Sequence, residues 1–123
     1  MKAIGKDIYG KILEFESDKY NTIYCEGKCL VELTIPNGIQ EVYCGANKLT
    51  ELIIPEGVIS VFCQINKLTK ISVPSSIKAI YCMHNNLTEL TLPKSIKVLY
   101  ADKKIATNID ILEDNNRTIK LMF

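Results

Sequence analysis

The sequence predicts a β-rich solenoid: about five short coils, one parallel β-sheet along the concave side, an extended or short-strand convex side, and little or no helix. Three observations carry this. A phrase recurs at a fixed interval: Ile39, Val42, Cys44, Asn47 and Leu49 are followed 19 residues on by Val58, Val61, Cys63, Asn66 and Leu68, and 19 further by Ile77, Ile80, Cys82, Asn85 and Leu87. The chain's four prolines, Pro36, Pro55, Pro74 and Pro93, keep the same interval. Within each copy apolar and polar residues alternate with a period of two, as in Leu90-Thr91-Leu92, and 19 residues leave little room for a return helix.

In order along the chain, residues 1–19 read as an N-terminal cap. Ile8, Ile12, Leu13 and Phe15 give an extended segment or hairpin, with Gly5 and Gly10 supplying turns. Leu13-Glu14-Phe15 resembles a degenerate copy of Leu33-Thr34-Ile35, one residue out of register. A cap is expected because the first coil has an open edge that natural sheets cover or pair. Residues 20–112 form the repeats. Tyr20, Ile23, Tyr24 and Cys25 align with Ile39, Val42, Tyr43 and Cys44, although Lys28 stands where later copies have asparagine, and Cys29 falls on an exposed place. After three regular coils, Ile96-Lys97-Val98-Leu99-Tyr100 keeps the strand while Ala101 and Lys104 replace the cysteine and the asparagine. Ala106 to Ile111 align with Leu87 to Leu92. A polar insert, roughly Glu113 to Arg117, then precedes Thr118 to Phe123, which echo Ser95 to Tyr100 at a shift of 23 and read as a terminal cap strand over residues 113–123. The whole chain, 1–123, is a single domain.

Bulk composition excludes more than it selects. The net charge is +1, so no overall field draws the chain to nucleic acid or an anionic membrane. Arg117 is the only arginine, which argues against bidentate phosphate recognition. No apolar run approaches the roughly 18 residues of a membrane span, and the N-terminus lacks the apolar core of a secretory signal. Five cysteines, an odd number, in an untargeted chain point to a reduced, cytoplasmic compartment.

The phrase Ile39-x-x-Val42-x-Cys44-x-x-Asn47-x-Leu49 resembles the leucine-rich repeat segment over roughly residues 20–112. Leu92-Pro93-x-x-Ile96-x-x-Leu99 and Asn85-x-Leu87-Thr88-x-Leu90 are similar to the two halves of the short repeats in bacterial effectors and in giant-virus and amoeba-associated proteins. The resemblance implies a non-catalytic protein-interaction module, acting in the host cytosol if the chain is an effector. Effector ligases with such repeats need a separate catalytic domain, for which no residues remain.

Alternation assigns the faces. If Val42 and Cys44 point into the core, Tyr43 points out. Cys25, Cys44, Cys63 and Cys82 then form an inward column, small and apolar in role, with Ala101 in the fifth place. Four thiols in a line do not converge on a tetrahedral metal, and no metal or cofactor is expected. Asn47, Asn66 and Asn85 are expected at a buried turn, where the amide satisfies backbone groups of the next coil. The outward column is aromatic: Tyr24, Tyr43, Phe62, Tyr81 and Tyr100, with Phe123 as its continuation. Glu41, Gln64 and Met83 flank it among other variable positions such as Asp102.

Two readings of this column stand open. It docks a protein partner, including a second copy joined through the ladder or an end strand, or it propagates with the repeat and only stabilises the sheet by cross-strand stacking. A second function class is a small-ligand, glycan or single-stranded nucleic-acid binder using stacked rings, with Lys78 and Lys97 beside them; nucleic acid is not the favoured partner. His84, the only histidine, has no carboxylate placed to orient it, so an enzyme is not expected.

Overall fold

The computed structural model describes residues 1–107 and 116–122. Its architecture is a β-solenoid of about five coils, and no helix occurs among the described residues. Strands β1 (Lys2–Asp7) and β2 (Ile12–Glu16) make an antiparallel hairpin. Each coil then contributes a short strand to the main sheet: β3 (Thr22–Tyr24), β5 (Glu41–Tyr43), β7 (Ser60–Phe62), β9 (Ala79–Tyr81) and β11 (Val98–Asp102). Between them lie the return strands β4 (Leu30–Thr34), β6 (Glu51–Ile53), β8 (Lys70–Ser72), β10 (Glu89–Leu90) and β12 (Ala106–Thr107), and β13 (Thr118–Met122) closes the array. The main sheet is wholly parallel, in the order β13-β11-β9-β7-β5-β3. Its central pairs join residues 19 apart, such as Val42↔Val61 and Val61↔Ile80.

The core is a stack of repeated positions. Ile39, Val42, Cys44, Leu49, Leu52 and Ile54 are buried in one coil, and Val58, Val61, Cys63 and Leu68 in the next. Each coil therefore covers its neighbours' apolar layer, which a single coil cannot bury alone. The prolines end the return strands and open turns: the Pro55, Pro74 and Pro93 carbonyls accept from the N–H of Val58, Ile77 and Ile96. A proline there sacrifices no ladder donor.

The asparagines hold the coils together. The Asn66 amide donates to the carbonyls of Cys44 and Cys63 at 3.0 and 3.1 Å, while its oxygen accepts from Leu49 N–H at 3.0 Å. Asn47 and Asn85 repeat the arrangement. The satisfied groups belong to the asparagine's own coil and the preceding one, not the following one. Just before each asparagine the chain turns through the left-handed region, at Ala46, Ile65 and His84 with φ of 55 to 59°, and Gly27 does the same before Lys28 at 67°.

The ends depart from the sequence reading in four ways. Gly5 is not in a turn; it lies inside β1, where an added Cβ would stand 2.8 Å from Leu30 Cδ2. The hairpin covers the return side: β1 pairs with β4, and β2 lies beyond it, so Leu13-Glu14-Phe15 is not a repeat copy. Tyr20 is exposed, unlike buried Ile39, because Asp18 builds a separate loop, accepting from Tyr20 and Thr22 N–H. At the other end Leu90 pairs with Thr107 and Tyr100 with Lys120, spacings of 17 and 20 in place of 19 and 23. The missing asparagine loop at Lys104 explains the first slip, since its chain takes a tight turn closed by Ile105 N–H to Asp102 O. The aligned stretch 108–111 and most of the polar insert lie outside the described residues; Arg117 donates to the carbonyls of Ile96 and Lys94.

Candidate functional site

The outward aromatic column forms a stacked ladder on the main sheet. Parallel in-register pairing repeats each side chain directly above its equivalent, so rings carried at one repeat position must meet. Ring centroids are 4.9 Å apart for Tyr24–Tyr43, 4.3 Å for Tyr43–Phe62 and 4.4 Å for Phe62–Tyr81. The planes are nearly parallel, at 13°, 3° and 10°. Tyr100 breaks the stack, tilted by 47° against Tyr81 at 4.8 Å. Beyond it stands Lys120, whose ammonium lies 5.9 Å from the Tyr100 ring centroid, within reach of a cation–π contact. The β11–β13 register thus gives the sixth ladder place to Lys120; Phe123 lies outside the described residues.

Stacking decides which ring surfaces remain available. The faces of Tyr43, Phe62 and Tyr81 lie against one another, leaving their edges and the two tyrosine hydroxyls turned outward. These rings are half-buried, whereas Tyr24 is 55% exposed. Burial within the ladder, with lesser contributions from Glu41, Tyr24, Glu26 and Tyr81, raises the Tyr43 phenol above its usual value. The Tyr43 hydroxyl is therefore a neutral donor and acceptor at ordinary pH.

The flanking residues divide. Glu41, on β5, and Met83, beyond β9, are half-buried on the ladder face. Gln64 folds over Gly45: a Cβ on that glycine would stand 3.0 Å from Gln64 Nε2. Gln64 Oε1 is buried and has no hydrogen-bond partner. Asp102 does not belong to this face as an exposed neighbour. It is 7% exposed, and its carboxylate accepts from His84 N–H at 2.9 Å and Asn85 N–H at 3.1 Å. In the inner coils a backbone carbonyl does this for the residue before the asparagine, as with Ile65 N–H to Met83 O. Asp102 closes the last regular turn with its side chain instead, a structural role that its outward position in the alternation conceals.

The cysteine column is inert by environment. Cys25, Cys44, Cys63 and Cys82 are buried and free, and only Cys29 is exposed. Burial pushes the Cys25 and Cys82 thiols up to about 12, helped by Glu26 and Asp102 respectively, and raises Cys44 and Cys63 well above their usual value. A protonated thiol in the core is neither nucleophile nor metal ligand. No group of three or more histidine, cysteine, aspartate or glutamate side chains able to hold a metal occurs among the described residues. No helix among them is long and apolar enough to cross a membrane.

No protein-family model matches this chain, and no curated protein or solved structure matches it either.

Proposed function

We propose that the chain is a leucine-rich-repeat type of solenoid that binds another protein through the ladder face, without catalysis. The observation that carries this is the continuous aromatic strip from Tyr24 to Tyr100, half-buried to exposed and flanked by Glu41 and Met83. Aromatic rings present large area at low entropic cost, and a rigid stack has even less freedom to lose on binding. Strip-like geometry suits a surface of similar length, and a second copy of the ladder meets that requirement through a two-fold axis.

The small-ligand, glycan or nucleic-acid reading has less support. Binding of that kind uses ring faces, and the inner faces are already taken up by neighbouring rings.

The experiment is an affinity capture from the native cytosol with the wild type beside two variants, together with light scattering over a concentration series. Tyr43→Ser with Tyr81→Ser removes rings; Tyr43→Phe with Tyr81→Phe keeps the stack and removes only hydroxyls. Loss of a captured partner, or of a concentration-dependent mass, in the serine variant and not in the phenylalanine variant supports docking on the ladder. Identical behaviour of all three, with folding intact, leaves the ladder a structural device only.

A further inference from the structure

The two ends of the aromatic ladder differ. Each inner ring has a neighbour on both sides, Tyr24 and Phe62 for Tyr43, Tyr43 and Tyr81 for Phe62. At the far end Tyr100 meets Lys120, whose ammonium stands 5.9 Å from the ring centroid. Tyr24 stacks on Tyr43 alone. Because β3 is the edge strand of the main sheet, the other face of this ring turns away from the stack, and Tyr24 is 55% exposed. No described ring or cation covers that face. Lys19, the nearest lysine before it in sequence, lies over Tyr20 instead, 5.2 Å from that ring's centroid.

Acidic groups surround the open face. Glu26, two residues beyond Tyr24, is exposed and forms no ion pair or side-chain hydrogen bond among the described residues. Its repeat equivalent in the next coil is Gly45, which has no side chain to answer it. Asp18 stands at the outer edge of β3: its Oδ1 accepts from Thr22 N–H at 3.0 Å and its own N–H donates to Thr22 O at 3.1 Å. Its Oδ2 accepts from no described group. Alternation along the strand turns Tyr24 C=O to that same edge, where no described group donates to it. Glu41 is farther off, on β5. After burial, Glu41, Tyr24 and Glu26 raise the Tyr43 phenol, so both carboxylates act on this end of the ladder.

We propose that the Tyr24 end of the ladder receives an arginine of the protein partner, its guanidinium stacked on the open ring face with its edge donating to Asp18 and Glu26. This rests on the docking reading above and names the chemistry of the partner at one end of the strip. A guanidinium matches all three features at once: it is flat, it is attracted by the face of a tyrosine, and its N–H groups point outward in the plane toward carboxylates and a carbonyl. A partner's aromatic ring would fit the face and leave the carboxylates unanswered, and an anion would be repelled by them. The opposite end gives the counterpart within the chain, where Lys120 already supplies the cation to Tyr100.

The test titrates the full chain, isotopically labelled, with a capped Gly-Arg-Gly peptide beside capped Gly-Leu-Gly, carried into the millimolar range. Expected are saturable shifts of the Tyr24 ring and of the amides from Asp18 to Glu26, with the arginine peptide alone. Tyr24→Leu should weaken binding about threefold to fivefold, and Tyr24→Phe should keep it, since the ring face is retained. Glu26→Lys, an exposed change compatible with folding, should weaken it at least as much. Absence of saturable shifts, an equal response to the leucine peptide, shifts centred on Tyr100, or unaffected Tyr24→Leu and Glu26→Lys variants would each overturn the proposal. The titration does not pass through the partner, so the two readings fail separately. Loss of a partner from the Tyr43 and Tyr81 serine variant beside a silent titration strikes the arginine site alone. Peptide binding with no partner lost from that variant upholds the cation site and strikes docking on the ladder.

Discussion

A buried asparagine is stable only when its amide and carbonyl are both satisfied, and here one residue meets groups on two coils. Asn66 holds Leu49 N–H and the Cys44 and Cys63 carbonyls. Asn66→Ala would leave these buried groups unpaired at about 1–3 kcal/mol each before relaxation, so a loss on the order of 3 kcal/mol in urea unfolding is expected. Ile65, beside it, shows the opposite situation. It is a β-branched residue at φ 57°, and it is 54% exposed, so packing gives little in return. Its repeat equivalent Gly27 adopts the same conformation without the Cβ conflict. Ile65→Gly should raise stability by up to about 1 kcal/mol, read as a higher urea midpoint at unchanged slope. For the thiols, a colourimetric thiol reagent should titrate Cys29 alone in the native protein and all five cysteines in concentrated guanidinium chloride.

Among the elements, the ladder and the hairpin make separate demands. Phe62 stacks on Tyr43 at 4.3 Å and Tyr81 at 4.4 Å, so Phe62→Ala removes two stacking contacts together with the buried part of the ring. A cost of roughly 2–3 kcal/mol is expected, since each aromatic pair contributes about 0.5–1.5 kcal/mol beyond area burial. Phe62→Tyr should be near neutral, because tyrosine already fills the other ladder places. The hairpin is fitted to the first coil through Gly5, over which Leu30 and Phe15 close. Gly5→Ala should destabilise by about 1–3 kcal/mol through overpacking. Amide exchange should accelerate first in β1, β2 and β4, leaving β7 and β9 protected, because coils in a stack depend mainly on their neighbours.

The whole molecule is expected to weaken in alkali, and the sign follows from the thiols. Folding raises the Cys25 and Cys82 thiols from 9.0 to about 12, and raises Cys44 and Cys63 in the same direction. Below the ordinary value both folded and unfolded chains hold the protons, and the stabilising contribution is complete. Above it the unfolded chain releases protons that the native chain retains, so the unfolding free energy declines as pH rises from 9 toward 12. Urea midpoints should fall over that window, and Cys25→Ala with Cys82→Ala should flatten the decline even where it lowers the midpoint at neutral pH. An unchanged slope in that variant would assign alkaline weakening to other groups, such as the Tyr43 phenol.

Sequence alone determined the repeated part of this protein, because a parallel stack requires each coil to place the same residue types at the same heights. The period, the inward cysteines, the buried asparagines and the outward rings from Tyr24 to Tyr100 are all direct consequences of copying one phrase, and the fold follows them. Tertiary structure decided what happens where copying stops. The chain shortens around Lys104 because no asparagine loop is available, Asp102 turns inward because two N–H groups need an acceptor, and Lys120 takes the place beside Tyr100 because the last strand slips. The first return strand is of the same kind: β4 matches the repeat, yet its ladder is to β1 of the hairpin and none forms to β6. Stacking was legible in the sequence, since the 19-residue period sets equivalent rings one strand spacing apart and they lie 4.3–4.9 Å from one another; the 47° tilt that ends the stack at Tyr100 was decided by the tertiary structure.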